Sequence, residues 1–163
     1  METWVEIPDF PRYSVSDHGN VRNDHTGRIL KAVQNQYDVL MVGLMKDGTQ
    51  FKRSVPLLVA RAFIEPEKPH FDTPVNLNGH RMDNHVRNLV WRPRWYAVAY
   101  NQQFKEPYEH AIDYPIRDTE LGMVFPNSFA VATAYGLLEK DIVLSILNNT
   151  IVWLTFQKFE MVE

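Results

Sequence analysis

The sequence predicts an α+β fold, and three observations carry that expectation. Residues 4–55 alternate short apolar runs with turn residues, the habit of small strands. Residues 56–63, P-L-L-V-A-R-A-F, read as a helix opening on proline, where the missing N–H costs nothing. Past residue 113 the chain returns to short strands, two helices and a closing strand. With 45% hydrophobic and 23% charged residues, the 163-residue chain is globular rather than disordered in composition.

The elements follow in order. Within residues 4–22, Asp17-His18-Gly19-Asn20 is a turn, since Gly and Asn accept positive φ cheaply. Strands are expected at 27–31, 37–44 and 51–55, with Asp47-Gly48 closing a hairpin. The proline-rich stretch 64–73 is a loop. Residues 74–91 give a strand, an Asn-Gly turn, an Asn-rich helix start capped by Asp83, and a returning segment ending in Trp91. A helix is expected over 94–104 and a polar linker over 105–113. Two strands flank Glu120-Leu121-Gly122, and Pro126-Asn127-Ser128 starts a helix that ends at Gly136. A second helix spans 139–147, and I-V-W-L-T-F at 151–156 closes the chain as a strand, with Trp153 and Phe156 in its core. Trp91, Trp95, Tyr96 and Tyr100 are expected to pack rather than to stack on bases.

Two segments resemble a known family. Residues 74–91, P-V-N-L-N-G-H-R-M-D-N-H-V-R-N-L-V-W, are similar to the ββα-metal core of the HNH homing endonucleases of phages and introns, which reads V-N-H-x-D-G-N-x-x-N-N-x-x-x-N-L-x-W. The match is close at Val75-Asn76, Gly79, Asp83-Asn84, Asn88-Leu89 and Trp91. The pattern W-x-x-I-x-x-F-x-x-Y-x-V-S-D-x-G-x-V-R, followed by G-x-x-L-K, resembles the modular motif that precedes that core. The C-terminal pattern resembles the helix-turn-helix-like module that often follows it. The resemblance implies three segments: a β-rich N-terminal motif over 1–55, a ββα HNH-like core over 56–105, and an acidic β-β-α-α-β module over 106–163.

The resemblance also implies DNA cleavage with one divalent metal, and it fails where that chemistry sits. The base histidine is replaced by Leu77, or by Asn76 if the one-residue deletion precedes the turn; Asn78 completes the altered site. Neither leucine nor an amide deprotonates water. A helical metal ligand expected about six residues past Trp91 falls on Ala97, with Asn101 one turn beyond. No metal is therefore expected, although Asn76 and Asp83 remain the candidate ligands, with Mg²⁺ or Mn²⁺, if a shifted turn lets His80 or His85 act as base. Asp83, Asn84 and Asn88 read as residues that hold the loop. Lys52, Arg53, Arg81, Arg87, Arg92 and Arg94 are the candidate phosphate contacts.

Charge divides the chain. The net charge is −3, but residues 1–105 hold 14 Lys/Arg against 11 Asp/Glu, and residues 106–163 hold 3 against 9. Attraction to DNA belongs to the first part, and a protein partner suits the acidic last third. The absence of cysteine excludes disulfides and cysteine zinc sites, and no leader or membrane-spanning run is read, so the expected location is the cytoplasm, that of the host if the chain is phage-encoded. The expected function is that of an HNH-like protein that has lost catalysis and acts by binding DNA or a protein. An active nuclease with a relocated base and a sequence-specific DNA-binding regulator stand as alternatives.

Overall fold

The computed structural model describes residues 1–163, which form an α+β fold of eleven strands and four helices. Contacts divide it into two compact units, Met1–Ala97 and Val98–Glu163.

The first unit opens with an antiparallel sheet of β1 (Trp4–Ile7), β2 (Phe10–Ser16) and β3 (Val21–Asn23), in which Val15 pairs with both Val5 and Val21. A second sheet is ordered β4 (Val33–Gln34), β5 (Leu40–Lys46) and β6 (Thr49–Ser54). The hairpin between β5 and β6 turns at Asp47 (φ 49°) and Gly48 (φ 76°), the two positive φ values that fit strand twist. Helix α1 (Val55–Phe63) starts one residue earlier than the proline suggests, because the Ser54 side chain caps it by accepting from the Leu57 N–H. Val55, Leu58 and Val59 of α1 bury against Phe10, Val15 and Leu44 of the sheets in one apolar core. The Tyr13 hydroxyl accepts the Met45 N–H at 3.1 Å, so the two sheets are also joined by a polar bond.

Strands β7 (Thr73–Asn76) and β8 (Leu89–Arg92) form an antiparallel pair, with Asn76 opposite Leu89. The Trp91 indole N–H donates to the Ile64 carbonyl at 2.8 Å, tying the end of α1 to β8. Helix α2 (Arg94–Gln103) follows, completing a ββα order.

The second unit places β9 (Ile116–Asp118) between β10 (Val124–Phe125) and β11 (Phe159–Met161). Helix α3 (Ser128–Tyr135) is capped by the Asn127 side chain at its start and by Gly136 in the left-handed region at its end, both as the sequence suggests. Helix α4 (Glu139–Leu147) follows directly. A buried Ser128 hydroxyl donates to Glu139 Oε1 at 2.6 Å, locking the first turns of the two helices together.

Three local expectations are corrected. The closing strand is 159–161, not 151–156; residues 153–155 turn, Val152 and Leu154 point inward, and Trp153 and Phe156 are 59% and 54% exposed. Apolar alternation over so few residues describes a buried turn as well as a strand. Trp95 is 60% exposed, its ring meeting Tyr96 edge-on at 5.5 Å, whereas Trp91, Tyr96 and Tyr100 are buried. The Asn-rich segment holds no α-helix, only a single 3-10 turn at Val86–Asn88. No helix is long and apolar enough to cross a membrane.

Candidate functional site

The loop between β7 and β8 is held by its own amides. Asn76, 2% exposed, donates from Nδ2 to the Asp83 carbonyl (2.8 Å) and to Asn84 Oδ1 (3.0 Å). Asn88 reaches the same Asp83 carbonyl (2.8 Å) and Asn78 Oδ1 (2.9 Å), and its own Oδ1 accepts the Asn78 N–H. Asp83 spends both carboxylate oxygens locally, on the Asn78 amide (3.0 Å) and the His85 N–H (3.4 Å). Asp83 caps no helix. The N-cap of the 3-10 turn is His85, whose Nδ1 accepts the Arg87 N–H at 3.2 Å.

Removing the Asn76 side chain leaves Asn84 Oδ1 without this donor and the Asp83 carbonyl with Asn88 alone, so Asn76→Ala should destabilise the first unit by about 1–2 kcal/mol. Urea unfolding measures this, and a change within error of zero would show that water replaces the amide.

Leu77 follows directly on β7, its N–H donating to the Asn88 carbonyl at 2.8 Å. The Gly79 N–H closes back on the Asn76 carbonyl at 3.0 Å, with Gly79 at φ 75°. His80 is therefore carried onto the turn, exposed, with its N–H bonded to Asn78 Oδ1.

A second turn docks on this loop. The Val86 N–H donates to the Asp17 carbonyl at 2.8 Å, and the rings of His18 and His85 lie 4.8 Å apart at 33°. Gly19 (φ 86°) approaches so closely that a Cβ would stand 3.1 Å from the Asn84 carbonyl oxygen. Sequence reasoning found the turn at 17–20 but not its docking, because nothing local in either segment announces a contact across about 65 residues. The backbone N–H of Thr3, with the charges of His18 and His85 adding to it, holds the Asp17 carboxyl below its ordinary value.

A divalent ion would need donors at the end of β7 and on α2. There Asn76 offers one neutral amide oxygen while its nitrogen is bound to the loop, the Leu77 side chain has no donor, the Asp83 carboxylate is hydrogen-bonded within the loop, and Ala97 is a buried methyl. Asn101 does bury Oδ1 without a hydrogen-bond partner, but one neutral oxygen does not hold such an ion. No three His, Asp or Glu side chains converge to hold a metal anywhere in the chain. The residues present do not fit the metal.

The six candidate phosphate contacts separate. Lys52, Arg87 and Arg94 are exposed. Arg53 is half-buried, its guanidinium over the rings of Phe10 (5.0 Å) and Phe51 (5.4 Å). Arg81 is also half-buried, and loss of solvent lowers its pKa despite the opposing pull of Asp38. Arg92 is removed from the set: it is 2% exposed, with its Nη1 donating to the Trp91 carbonyl and its guanidinium 5.9 Å from the Phe71 ring.

A strand pair closed by an asparagine-rich loop and followed by a helix defines an HNH-type ββα unit by fold. Residues 2–44 match the NUMOD4 motif. The chain is 37% identical over 94 residues to one protein described as an uncharacterized HNH endonuclease of Acanthamoeba polyphaga mimivirus, a match covering 55% of this chain and 23% of that one. A second such mimivirus protein is 33% identical over 90 residues, covering 54% and 26%. The chain thus spans about a quarter of the length of the curated relatives it matches. In three dimensions it is similar to a solved structure of DNA binding and cleavage by the HNH homing endonuclease I-HmuI, with a TM-score of 0.56, 18% identity and 98% of both chains covered. Motif, relatives and fold each carry a likeness to HNH endonucleases, and with the homing endonuclease I-HmuI the chain shares the fold.

Proposed function

We propose that this homing-endonuclease-like chain has lost phosphodiester cleavage and acts by binding, to double-stranded DNA through residues 1–105 or to a protein through residues 106–163. One observation carries the loss of cleavage. Leu77 follows directly on β7, its N–H bonded to the Asn88 carbonyl, where the family resemblance puts the base. Bringing His80 to that place would break both the Leu77–Asn88 and the Gly79–Asn76 backbone bonds. The DNA arm rests on the exposed Lys52, Arg87 and Arg94, and on the DNA that I-HmuI binds.

The test is nicking of supercoiled plasmid, and of duplex carrying the chain's own flanking genomic sequence, with Mg²⁺ and with Mn²⁺. A His80→Ala/His85→Ala variant is the control. No metal-dependent nicking is expected. Cleavage that this variant loses would overturn the reading in favour of a nuclease with a relocated base. Duplex binding should weaken steeply as salt rises, and a shallow slope would remove the DNA arm.

A further inference from the structure

Strand β1 lies at the edge of its sheet, paired with β2 alone, and between it and α1 the first unit leaves a cavity of about 240 Å³. Its floor is apolar: Ile7, Phe10, Val15 and Leu58 line it, each at most 8% exposed. Its rim carries both signs of charge. Arg53 of β6 and Arg61 of α1 stand there with Glu6 of β1 and Asp9 of the turn that follows it. None of the four is in an ion pair. Arg53 is fixed in place, its guanidinium 5.0 Å from the centre of the Phe10 ring and its Nη1 donating to the Lys52 carbonyl at 3.0 Å. That single bond leaves the other N–H groups of the guanidinium for an occupant.

Size and charge define that occupant. Sites for drug-sized ligands enclose about 300–1,000 Å³, so this one takes something smaller, on the scale of a single ring. The Phe10 ring with the Arg53 guanidinium over it suits an aromatic ring, which gains from both. The rim excludes a simple anion, since what Arg53 and Arg61 attract, Glu6 and Asp9 repel; a simple cation meets the reverse. A head group that carries both charges is matched on each side. Its carboxylate suits the guanidinium fork, and its ammonium suits Glu6 or Asp9.

We propose that the cavity between β1 and α1 binds a small zwitterion with an aromatic body, the chemistry of a free aromatic α-amino acid. This goes beyond the binding of a macromolecule, and it holds whether or not the chain cleaves DNA.

The experiment is calorimetric titration of the full chain at neutral pH with L-phenylalanine, with phenylpropionate, which lacks the ammonium, and with phenylethylamine, which lacks the carboxylate. L-phenylalanine should bind about tenfold more tightly than either analogue, the scale of one charge-assisted hydrogen bond. Arg53→Gln/Arg61→Gln and Glu6→Gln/Asp9→Asn should each weaken L-phenylalanine by about the same factor while far-ultraviolet circular dichroism shows the fold retained. The comparison of the three ligands on the wild-type chain needs no variant, so it decides even where a variant fails to fold. No binding of L-phenylalanine, an analogue that binds as tightly, or unchanged affinity in either folded variant would overturn the proposal.

Discussion

Replacing Asp118 by alanine should destabilise the C-terminal unit by about 3–5 kcal/mol, the largest single-residue effect we expect. Its carboxylate is fully buried in β9 and accepts four hydrogen bonds, from the Tyr135 hydroxyl (2.7 Å), the Glu120 and Leu121 N–H groups (2.9 and 3.1 Å) and the Gln157 amide (3.1 Å). Truncation orphans all four donors at once. Asp118→Asn keeps one acceptor oxygen and should cost less.

The pH dependence has a defined sign at both ends. Burial alone would raise the Asp118 carboxyl, but the bonds from Tyr135, the backbone and Gln157 outweigh it and hold the pKa below its ordinary 3.8. That stabilisation is present above 3.8 and disappears as the pH falls through the lowered value. Tyr135 is pushed up to about 12 by burial and by its bond to Asp118. Its contribution is complete below pH 10.0 and is lost as the pH rises through about 12. Hydrogen exchange across residues 98–163, at neutral pH and at both extremes, is the measurement. Unchanged protection in Asp118→Ala would refute the account.

The second large effect is a gain of function. Leu77→His combined with Ala97→Asn restores the two groups that the family resemblance requires and this chain lacks. The pair should nick plasmid with Mn²⁺ at least about 100-fold above wild type, the scale of a positioned general base. Each single variant should stay inactive, because a base without a metal, or a ligand without a base, completes nothing. Ala97 is only 3% exposed, so the asparagine introduces crowding of about 1–3 kcal/mol and folding must be checked alongside. A folded but inactive double variant would mean that more than these two groups is missing.

Where local chemistry decides structure, the sequence was legible. Asp47-Gly48 specified its hairpin, and Asn127 with Gly136 bounded α3, because each of these residues acts on backbone within a few positions. The departures from the family pattern at Leu77 and Ala97 needed no coordinates to be read, since they are differences in residue type. What was hidden depends on distant partners. Arg92 is buried beside Phe71, twenty-one residues earlier, although arginine ordinarily lies at the surface. Asp118 owes its importance to Tyr135 and Gln157, and nothing around position 118 announces either. The loop's asparagines could be recognised singly, but the sharing of one Asp83 carbonyl by Asn76 and Asn88 exists only in the folded loop.

The docked turn at 17–20 bears on portability. Residues 2–44 make up a recurring motif, which invites treating them as a cassette to be lifted from one nuclease and set on another. Here the cassette is welded on through the Asp17 carbonyl, the His18 ring and the missing Cβ of Gly19, to Val86, His85 and Asn84. A graft of the first 44 residues that leaves 84–86 behind would transplant one half of a seam, and the recipient would have to supply the other.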